Sequence, residues 1–268
     1  MRIYGDGTLI HQAQTDDGVI EVVDNGDSRS LHFGTYPRQS SMRLSDPAHL
    51  ALSYTQSMMG CLLLNPIPRR VLVIGLGGGS LVKFLLQHFP QCQIDVVEYR
   101  RDVIEVAAHY FNVPLTDPRL NIVQGDGYLH VSQLFYETDL SYDLLLVDAY
   151  DHNGMAASVG VQPFFDACSG ILTADGVMSI NLWGSERDLF NTTMQRINQS
   201  FAGRSMLLPV ENKGNVIALA TQFEVNHRDL KLLRAKVDEW EMRYRINLPK
   251  ALQNLIRQNR NFISRLFA

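Results

Sequence analysis

Residues 71–80 of this 268-residue chain read Val-Leu-Val-Ile-Gly-Leu-Gly-Gly-Gly-Ser, an apolar run that ends in glycines. The first four residues are uninterrupted and mostly β-branched, which is typical of a strand buried on both faces. Residues 80–89 then show the helical spacing of apolar side chains and stop before Pro90. A strand, a glycine turn and a helix N-terminus together predict a nucleotide-binding corner, where backbone N–H groups and the helix dipole face the ligand.

Three glycines of this turn, Gly75, Gly77 and Gly79, are expected to provide the tight bend and the close backbone approach that such a ligand needs. A second strand, residues 94–98, ends in a carboxylate at Glu98. A carboxylate at this place can accept hydrogen bonds from both hydroxyls of a ribose. The combination predicts an adenosine site, and the competing interpretation is an ordinary strand-to-helix turn followed by an exposed Glu.

The composition is that of an ordinary globular protein, with 46% hydrophobic and 19% charged residues. No apolar run is long enough to span a bilayer, and the first residues lack the apolar stretch of a secretory signal, so we expect no membrane association. The three cysteines, Cys61, Cys92 and Cys168, have neither metal-ligand nor disulfide spacing. Their scatter favours a cytoplasmic protein without a bound metal.

The net charge of −4 is unevenly distributed along the chain. From Arg228 onward Lys and Arg outnumber Asp and Glu by ten to four, whereas the remainder holds 14 basic and 24 acidic residues. An acidic main part argues against nucleic acid as the substrate and favours a cationic one.

Residues 1–65 are predicted to form a small β-hairpin domain followed by a linking helix. Two apolar stretches flank Asp24-Asn-Gly-Asp27, and Asn-Gly is the strongest short hairpin signal. Residues 38–43 are predicted as a polar segment that leads into a helix, with Asp46 as N-cap and Pro47 in the first turn. This helix is expected to end near Leu64, before two prolines.

Residues 66–225 alternate strand and helix, which predicts an α/β fold with a parallel sheet and right-handed crossovers. Residues 206–210 and 216–220 read as a closing antiparallel hairpin. A Rossmann sheet that ends this way is typical of AdoMet-dependent transferases rather than of nicotinamide dehydrogenases. Residues 226–268 are predicted to be two amphipathic helices separated near Pro249, packed on the Rossmann domain with their basic residues mainly in solvent.

Four acids follow the predicted strands directly or closely, and ligands of open α/β sheets bind at the carboxyl ends of the strands. They are Glu98, Asp126, Asp148 and Asp151. Asp126 lies between two glycines and can accept a hydrogen bond from the exocyclic amine of adenine, unless it only stabilises a turn. Asp148 and Asp151 can hold an ammonium group and remove its proton, unless both are structural.

The residues that other activities require are missing from the sequence. We find no Gly-x-Ser-x-Gly elbow, no Walker lysine and no Cys/His nucleophile pair, which leaves hydrolase and phosphotransfer chemistry without residues to perform it. The histidines show no metal-ligand spacing.

Over residues 19–220 the sequence resembles the spermidine synthase (polyamine aminopropyltransferase) family. The resemblance implies an N-terminal β domain ahead of an AdoMet-type Rossmann domain. Members of the family are commonly dimers or larger, and we expect a homodimer here. The resemblance also implies transfer of the aminopropyl group of decarboxylated AdoMet to a small-molecule amine, with release of methylthioadenosine.

The resemblance assigns roles residue by residue. Residues 75–80 match the family's glycine-rich turn, Glu98 its ribose ligand, and Asp126 with Gly127 its adenine corner. Asp148-Ala-Tyr-Asp151 resembles a motif in which the first Asp is the base and the second anchors the amine. Gln39 corresponds to a glutamine beside the donor, and Tyr54 to a tyrosine of the amine pocket.

Three departures from the family pattern weaken the amine side of the prediction. Gly78 replaces the Asp that holds the aminopropyl nitrogen, Thr55-Gln56 replaces a His/Gln-Glu pair, and Val210-Glu211-Asn212 lacks the family's Tyr-Pro. We therefore expect a weaker preference for decarboxylated AdoMet over AdoMet, which Gly78→Asp would raise if the backbone tolerates a side chain.

The alternatives are an AdoMet-dependent methyltransferase and a catalytically silent nucleoside-binding interaction protein. A nicotinamide oxidoreductase fits the closing hairpin and Asp126 poorly.

Overall fold

The computed structural model describes residues 6–34, 38–151 and 154–259, and omits the side chains of residues 151, 154, 155 and 227. The N-terminal part is a four-stranded antiparallel sheet in the order β1-β2-β3-β4. Its strands are β1 (Thr8–Thr15), β2 (Gly18–Asn25), β3 (Ser28–His32) and β4 (Ser40–Arg43). The Asn-Gly hairpin is confirmed, because Asn25 pairs with Ser28 across a turn in which Gly26 has a φ of +56°.

Two predictions for residues 38–64 are wrong. Residues 40–43 form a strand rather than a polar lead into a helix, because Ser40, Ser41 and Met42 are buried and pair with β3. The helix does not begin after Asp46 but at α1 (Ser53–Met58), followed by a 3-10 turn (Met59–Leu63). The Asp46 carboxylate instead forms an ion pair with Arg245.

The central sheet has seven strands in the order β12-β13-β11-β8-β5-β6-β7. Its strands are β5 (Arg70–Ile74), β6 (Gln93–Glu98), β7 (Leu120–Gln124), β8 (Tyr142–Val147), β11 (Leu172–Trp183), β12 (Ser205–Pro209) and β13 (Asn215–Thr221). The pairs from β7 to β11 are parallel, and β13 is antiparallel to both β11 and β12. This arrangement confirms the AdoMet-transferase type of Rossmann sheet with its closing antiparallel hairpin.

Helices connect these strands and cover both faces of the sheet. They are α2 (Ser80–His88), α3 (Arg101–Tyr110), α4 (Gly127–Glu137), α5 (Gln162–Gly170) and α6 (Arg187–Ser200). A two-stranded ribbon, β9 (Tyr150–Asp151) and β10 (Gly154–Met155), follows β8. The central strands β5 and β8 divide their buried side chains between two apolar clusters, one on each face. Burial on both faces explains why these strands read as continuous apolar runs.

Between residues 226 and 259, the described portion of the C-terminal part, there are three helices, whereas two were predicted over residues 226–268. They are α7 (His227–Leu232), α8 (Val237–Tyr244) and α9 (Leu248–Gln258), with a 3-10 turn (Leu233–Ala235) after α7. The predicted break near Pro249 is confirmed, because α8 ends at Tyr244 and α9 begins at Leu248; Pro249 itself lies in the first turn of α9, where a missing N–H costs nothing. The break falls at Arg245, which has a φ of +55°.

Side chains connect the N-terminal sheet to the Rossmann sheet. The Arg100 guanidinium lies over the Phe33 ring at 4.5 Å and pairs with Asp102, which also accepts a hydrogen bond from Thr15. Among the residues that the model describes, no helix is long and apolar enough to cross a membrane. The domain division at residues 65 and 225 stays a prediction.

Candidate active site

Four predicted site segments meet at one edge of the central sheet. The glycine turn follows β5, Glu98 ends β6, Asp126 follows β7 and Asp148 follows β8. Because β8, β5, β6 and β7 are adjacent and parallel, their carboxyl ends lie side by side. The order of the strands therefore brings together what the sequence separates by more than seventy residues.

The glycine turn has the backbone that its sequence predicts. Gly75, Gly77 and Gly79 have φ values of +93°, +52° and +65°, a region that side chains strongly disfavour. Gly79 is also the N-cap of α2, so the turn after β5 leads directly into the N-terminus of this helix.

Glu98 is buried and directly bonded to this turn. Its Oε2 accepts a hydrogen bond from Leu76 N at 2.7 Å, and its Oε1 accepts one from Arg100 N at 2.9 Å. Burial raises the pKa of Glu98, while these N–H donors act to lower it. The carboxylate thus shapes the glycine turn, in addition to the ribose contact that we assign to it as a proposal.

Asp126 and Gly127 begin α4. Asp126 is its N-cap, because Oδ1 accepts a hydrogen bond from Leu129 N at 2.9 Å. A Cβ on Gly127 would lie 2.5 Å from Ile74 Cγ2, so this glycine allows α4 to pack closely beside β5. One Asp126 oxygen, Oδ1, therefore has the structural role that was the alternative to ligand binding. A contact of Asp126 with adenine stays a prediction.

Asp148 is half-buried and held by neutral donors. Its Oδ1 accepts a hydrogen bond from Asn181 Nδ2 at 2.9 Å, and the Tyr54 hydroxyl hydrogen-bonds the same carboxyl group. The Tyr54 hydroxyl also lies 3.3 Å from the carbonyl oxygen of Gln39. Three residues predicted for the site, from three different segments, therefore form one hydrogen-bonded group.

Burial raises the pKa of Asp148, and the hydrogen bonds from Asn181 and Tyr54 oppose that rise. Burial and the nearby Asp148 charge raise the pKa of Tyr54 well above its usual value. Tyr54 is therefore a neutral hydrogen-bond donor at physiological pH, and Asp148 is the group suited to accept a proton.

Three further residues of this group were not predicted from the sequence. Asn181 and Asn215 are buried, and Asn215 Nδ2 donates to Asn181 Oδ1 at 2.9 Å. The Tyr150 hydroxyl donates to the Asn181 carbonyl oxygen at 2.8 Å. The one available signal was a polar residue inside an apolar strand, since Asn181 interrupts the run that ends β11.

A small cleft lies beside Tyr150 along the start of α6. It is lined by Tyr150, Leu182, Trp183, Glu186, Leu189, Phe190 and Thr193. Its volume of about 10 Å³ has room for about one water molecule and not for an alkylamine. The cleft is adjacent to Asp148 through Tyr150.

The position of the missing family Asp is filled in this chain. A Cβ on Gly78 would lie 2.7 Å from Ser40 Oγ and 2.9 Å from the ring of the buried Phe111. The backbone of Gly78 is unstrained, so the obstacle to a side chain is space.

Asp151 is described only by its backbone, which pairs with Gly154 in the β9-β10 ribbon. Its predicted amine contact lies outside the described side chains. Within the described ranges no three His, Cys, Asp or Glu side chains are grouped as metal ligands would be.

Replacing Glu98 by Gln is expected to weaken the binding of methylthioadenosine by about 1.5–3 kcal/mol, because a ribose hydroxyl would lose a charged acceptor. In Glu98→Gln an NH₂ group would also replace one carboxylate oxygen, and it cannot accept the hydrogen bond that Leu76 N or Arg100 N donates to that oxygen. Isothermal titration calorimetry measures the loss, with Glu105→Gln, an exposed change on α3, as the control. Unchanged affinity in a folded Glu98→Gln protein would remove Glu98 from the site.

Comparison with known proteins identifies the relatives of this chain. The family model "Spermine/spermidine synthase domain" matches residues 51–208. A polyamine aminopropyltransferase of Chromobacterium violaceum is 33% identical over 240 residues, which cover 90% of each chain.

Two solved structures are similar in fold. A spermidine synthase in complex with the transition-state analogue AdoDATO aligns with a TM-score of 0.66 at 23% identity, over 82% of this chain and 76% of that one. Human methyltransferase-like protein 13 in complex with SAH aligns with a TM-score of 0.58 at 25% identity, over 75% of this chain and 89% of that one.

Proposed function

Because the chain belongs to the spermine/spermidine synthase family, and is therefore a transferase enzyme, we propose that it transfers the aminopropyl group of decarboxylated AdoMet to an amine. The observation that supports this most directly is the position of Asp148. Its carboxylate lies at the end of β8 beside the glycine turn, hydrogen-bonded to Tyr54 and Asn181.

In the proposed reaction the amine nitrogen bonds to the aminopropyl carbon next to the sulfonium, and the carbon–sulfur bond breaks. The electron pair of that bond goes to sulfur, so methylthioadenosine leaves as a neutral thioether and needs no proton. An alkylammonium acceptor must first lose a proton, because its protonated nitrogen has no lone pair. Asp148 takes this proton, and the surrounding hydrogen bonds position the carboxylate for it.

The other residues bind the two substrates in this proposal. The nucleoside end of the donor is held by the glycine turn, Glu98, Asp126 and Gly127, and Gln39 lies beside the reacting end. Tyr54 and Asp151 contact the amine. Half-burial of Tyr54 next to Asp148 supports the amine role of the tyrosine.

The test is a parallel assay of decarboxylated AdoMet and AdoMet with a panel of di- and polyamines, following the release of the thioether product by chromatography. Methylthioadenosine formed only when an amine is present supports the proposal. Production of S-adenosylhomocysteine from AdoMet would favour methyl transfer, the second candidate, which the missing Asp at position 78 supports. Binding without turnover of either donor would leave the nucleoside-binding interaction protein.

Gly78→Asp alone is expected to destabilise the fold by about 1–3 kcal/mol instead of improving donor choice, because the added side chain overlaps Ser40 and Phe111. The double change Ser40→Gly with Gly78→Asp removes the contacts at 2.7 Å and 3.1 Å and should recover part of that loss. Thermal denaturation of the four proteins of this cycle measures the coupling. If Gly78→Asp is as stable as the wild type, the pocket adjusts and the steric argument is wrong.

The double variant should also show a higher ratio of kcat/KM for decarboxylated AdoMet over AdoMet than the wild type. A wild-type enzyme that strongly rejects AdoMet while using the decarboxylated donor would contradict the inference drawn from Gly78.

We further propose a cytoplasmic homodimer that acts on a small amine, without nucleic-acid or membrane partners. The three cysteines are free thiols, which supports a reducing compartment, and the resemblance to the family supports the dimer. Light scattering of the purified protein tests the oligomeric state.

A further inference from the structure

Two buried amides stand in line behind the Asp148 carboxylate. Asn215 Nδ2 donates to Asn181 Oδ1 at 2.9 Å, and Asn181 Nδ2 donates to Asp148 Oδ1 at 2.9 Å. Both Asn side chains are more than nine-tenths buried. A buried polar group is costly unless its hydrogen bonds are satisfied, so the two buried amides and the half-buried Asp148 carboxylate form a strongly specified network.

The strands set this line in place. Asn181 is near the end of β11, and Asn215 begins β13. In the antiparallel pairing Asn181 is opposite Ile217, which places Asn215 on the diagonal and on the same face. The Asn181 carbonyl oxygen also accepts the Tyr150 hydroxyl at 2.8 Å, so one residue fixes both Asp148 and the segment that follows it.

We propose that Asn181 and Asn215 are positioning residues, which hold the Asp148 carboxylate in one orientation and in its ionised form for the proton transfer proposed above. The inference rests on that proposed function, because it assigns Asp148 a proton to accept.

Both hydrogen bonds point in the same direction, from Asn215 through Asn181 to Asp148. Each amide has one donating and one accepting end, and Asn215 donates to the accepting end of Asn181. The donating end of Asn181 is thereby turned toward Asp148, where it stabilises a carboxylate and not a carboxylic acid. An ionised carboxylate only accepts hydrogen bonds, so Asn215 and an ionised Asp148 favour the same orientation of the Asn181 amide.

The titratable groups facing Asp148 within the described residues are two tyrosines. Tyr54 approaches from α1, and Tyr150 from the segment after β8, where the Glu186 carboxylate also acts on Tyr150. Burial raises the pKa of both tyrosines, so they remain neutral at physiological pH. Asn181 and Tyr54 are thus the donors that offset the burial of the carboxylate.

The test is the isosteric change Asn181→Asp, which keeps the shape and replaces the donor facing Asp148 by a second acid. We expect the acid limb of the kcat–pH profile to move toward higher pH by about one unit or more, since like charges raise a carboxyl pKa. Asn215→Asp should move the limb in the same direction by less, because it acts through Asn181.

The control is Asn121→Asp, since the exposed Asn121 donates from Nδ2 to the Asp95 carboxylate at 3.0 Å, near the N-terminal ends of β7 and β6 and away from the site. This variant should leave the acid limb in place. Asn181→Leu, which removes the donor without adding charge, replaces the Asp variant if that variant does not fold. It should move the acid limb toward higher pH by about one unit.

A second readout does not depend on turnover. NMR titration of the protein labelled with ¹³C at the aspartate carboxyls gives the Asp148 pKa directly, with Asp148→Asn to identify its signal. An unchanged titration in folded Asn181→Asp protein would overturn the inference. If the wild type has no transferase activity but the Asp148 pKa shifts in the variants as predicted, the proposed function is refuted and the positioning role of the two asparagines stands.

Discussion

Asp148→Asn is expected to lower kcat for amine transfer by about 10²- to 10⁴-fold, the range that general-base catalysis contributes. The asparagine keeps the shape of the side chain, and its carbonyl oxygen can still accept the hydrogen bond from Asn181 Nδ2. It has no basicity with which to remove a proton from the amine. Binding of methylthioadenosine should survive, because the nucleoside residues lie on the neighbouring strands β5, β6 and β7.

The rate of amine transfer should rise with pH as Asp148 loses its proton. Burial raises the pKa of Asp148, so we expect the acid limb of the wild-type rate to lie above the usual carboxyl range of about 4. Below that limb the carboxyl is protonated and the rate falls, and above it the rate reaches its plateau. Asp148→Asn should flatten the limb.

The control is Asp95→Asn. Asp95 accepts from an amide and a tyrosine hydroxyl, Asn121 and Tyr142, as Asp148 does from Asn181 and Tyr54. The change therefore removes a similar carboxylate at a distance from the site, and kcat should remain near that of the wild type. Near-normal turnover by Asp148→Asn would make Asp148 structural.

The sequence predicted the parts of the fold in which local pattern and final environment agree. The buried strands β5 and β8 are continuous apolar runs, and the turn at Gly26 has the residues its geometry requires. The strand β4 was missed because two of its four residues are serines. Their burial depends on Ser28 of β3 and Ser80 of α2, which hydrogen-bond them and are distant in sequence.

The carboxylates of the site could be predicted from the sequence because of their positions relative to the strands. Glu98 ends a strand and Asp126 and Asp148 follow strands, so their meeting is a consequence of the parallel order of these strands. Asn181 stands out locally only as a polar residue in an apolar strand, and the partnership of Asn181 with Asn215 arises from the pairing of β11 with β13. Neither the hydrophobic periodicity nor a sequence motif predicts tertiary hydrogen bonds of this kind.

Gly75→Ala is expected to cost about 3 kcal/mol or more of folding free energy, because two penalties combine. The φ of +93° is one that an alanine rarely adopts. A Cβ would also lie 2.3 Å from the carbonyl oxygen of Asp148, an atom of the backbone that cannot rotate away. We expect a thermal midpoint lower by about 6 °C or more at this chain length.

Gly18→Ala separates the two penalties. Gly18 has a φ of +98°, close to that of Gly75, but a Cβ there would meet nothing within 4 Å. Its variant should lose only the conformational part, about 1–2 kcal/mol. The difference between the two variants then measures how tightly the nucleoside turn is packed against the segment that carries Asp148.

That difference has a functional counterpart. The backbone of β8 is registered on β5 up to Asp148, whose N–H donates to the Ile74 carbonyl oxygen at 2.9 Å. An alanine at position 75 must push this segment away or twist the turn, so both nucleoside affinity and kcat should fall in any Gly75→Ala protein that folds. If calorimetry and turnover both match the wild type while the midpoint falls, the turn and the base are independent and the close contact serves only stability.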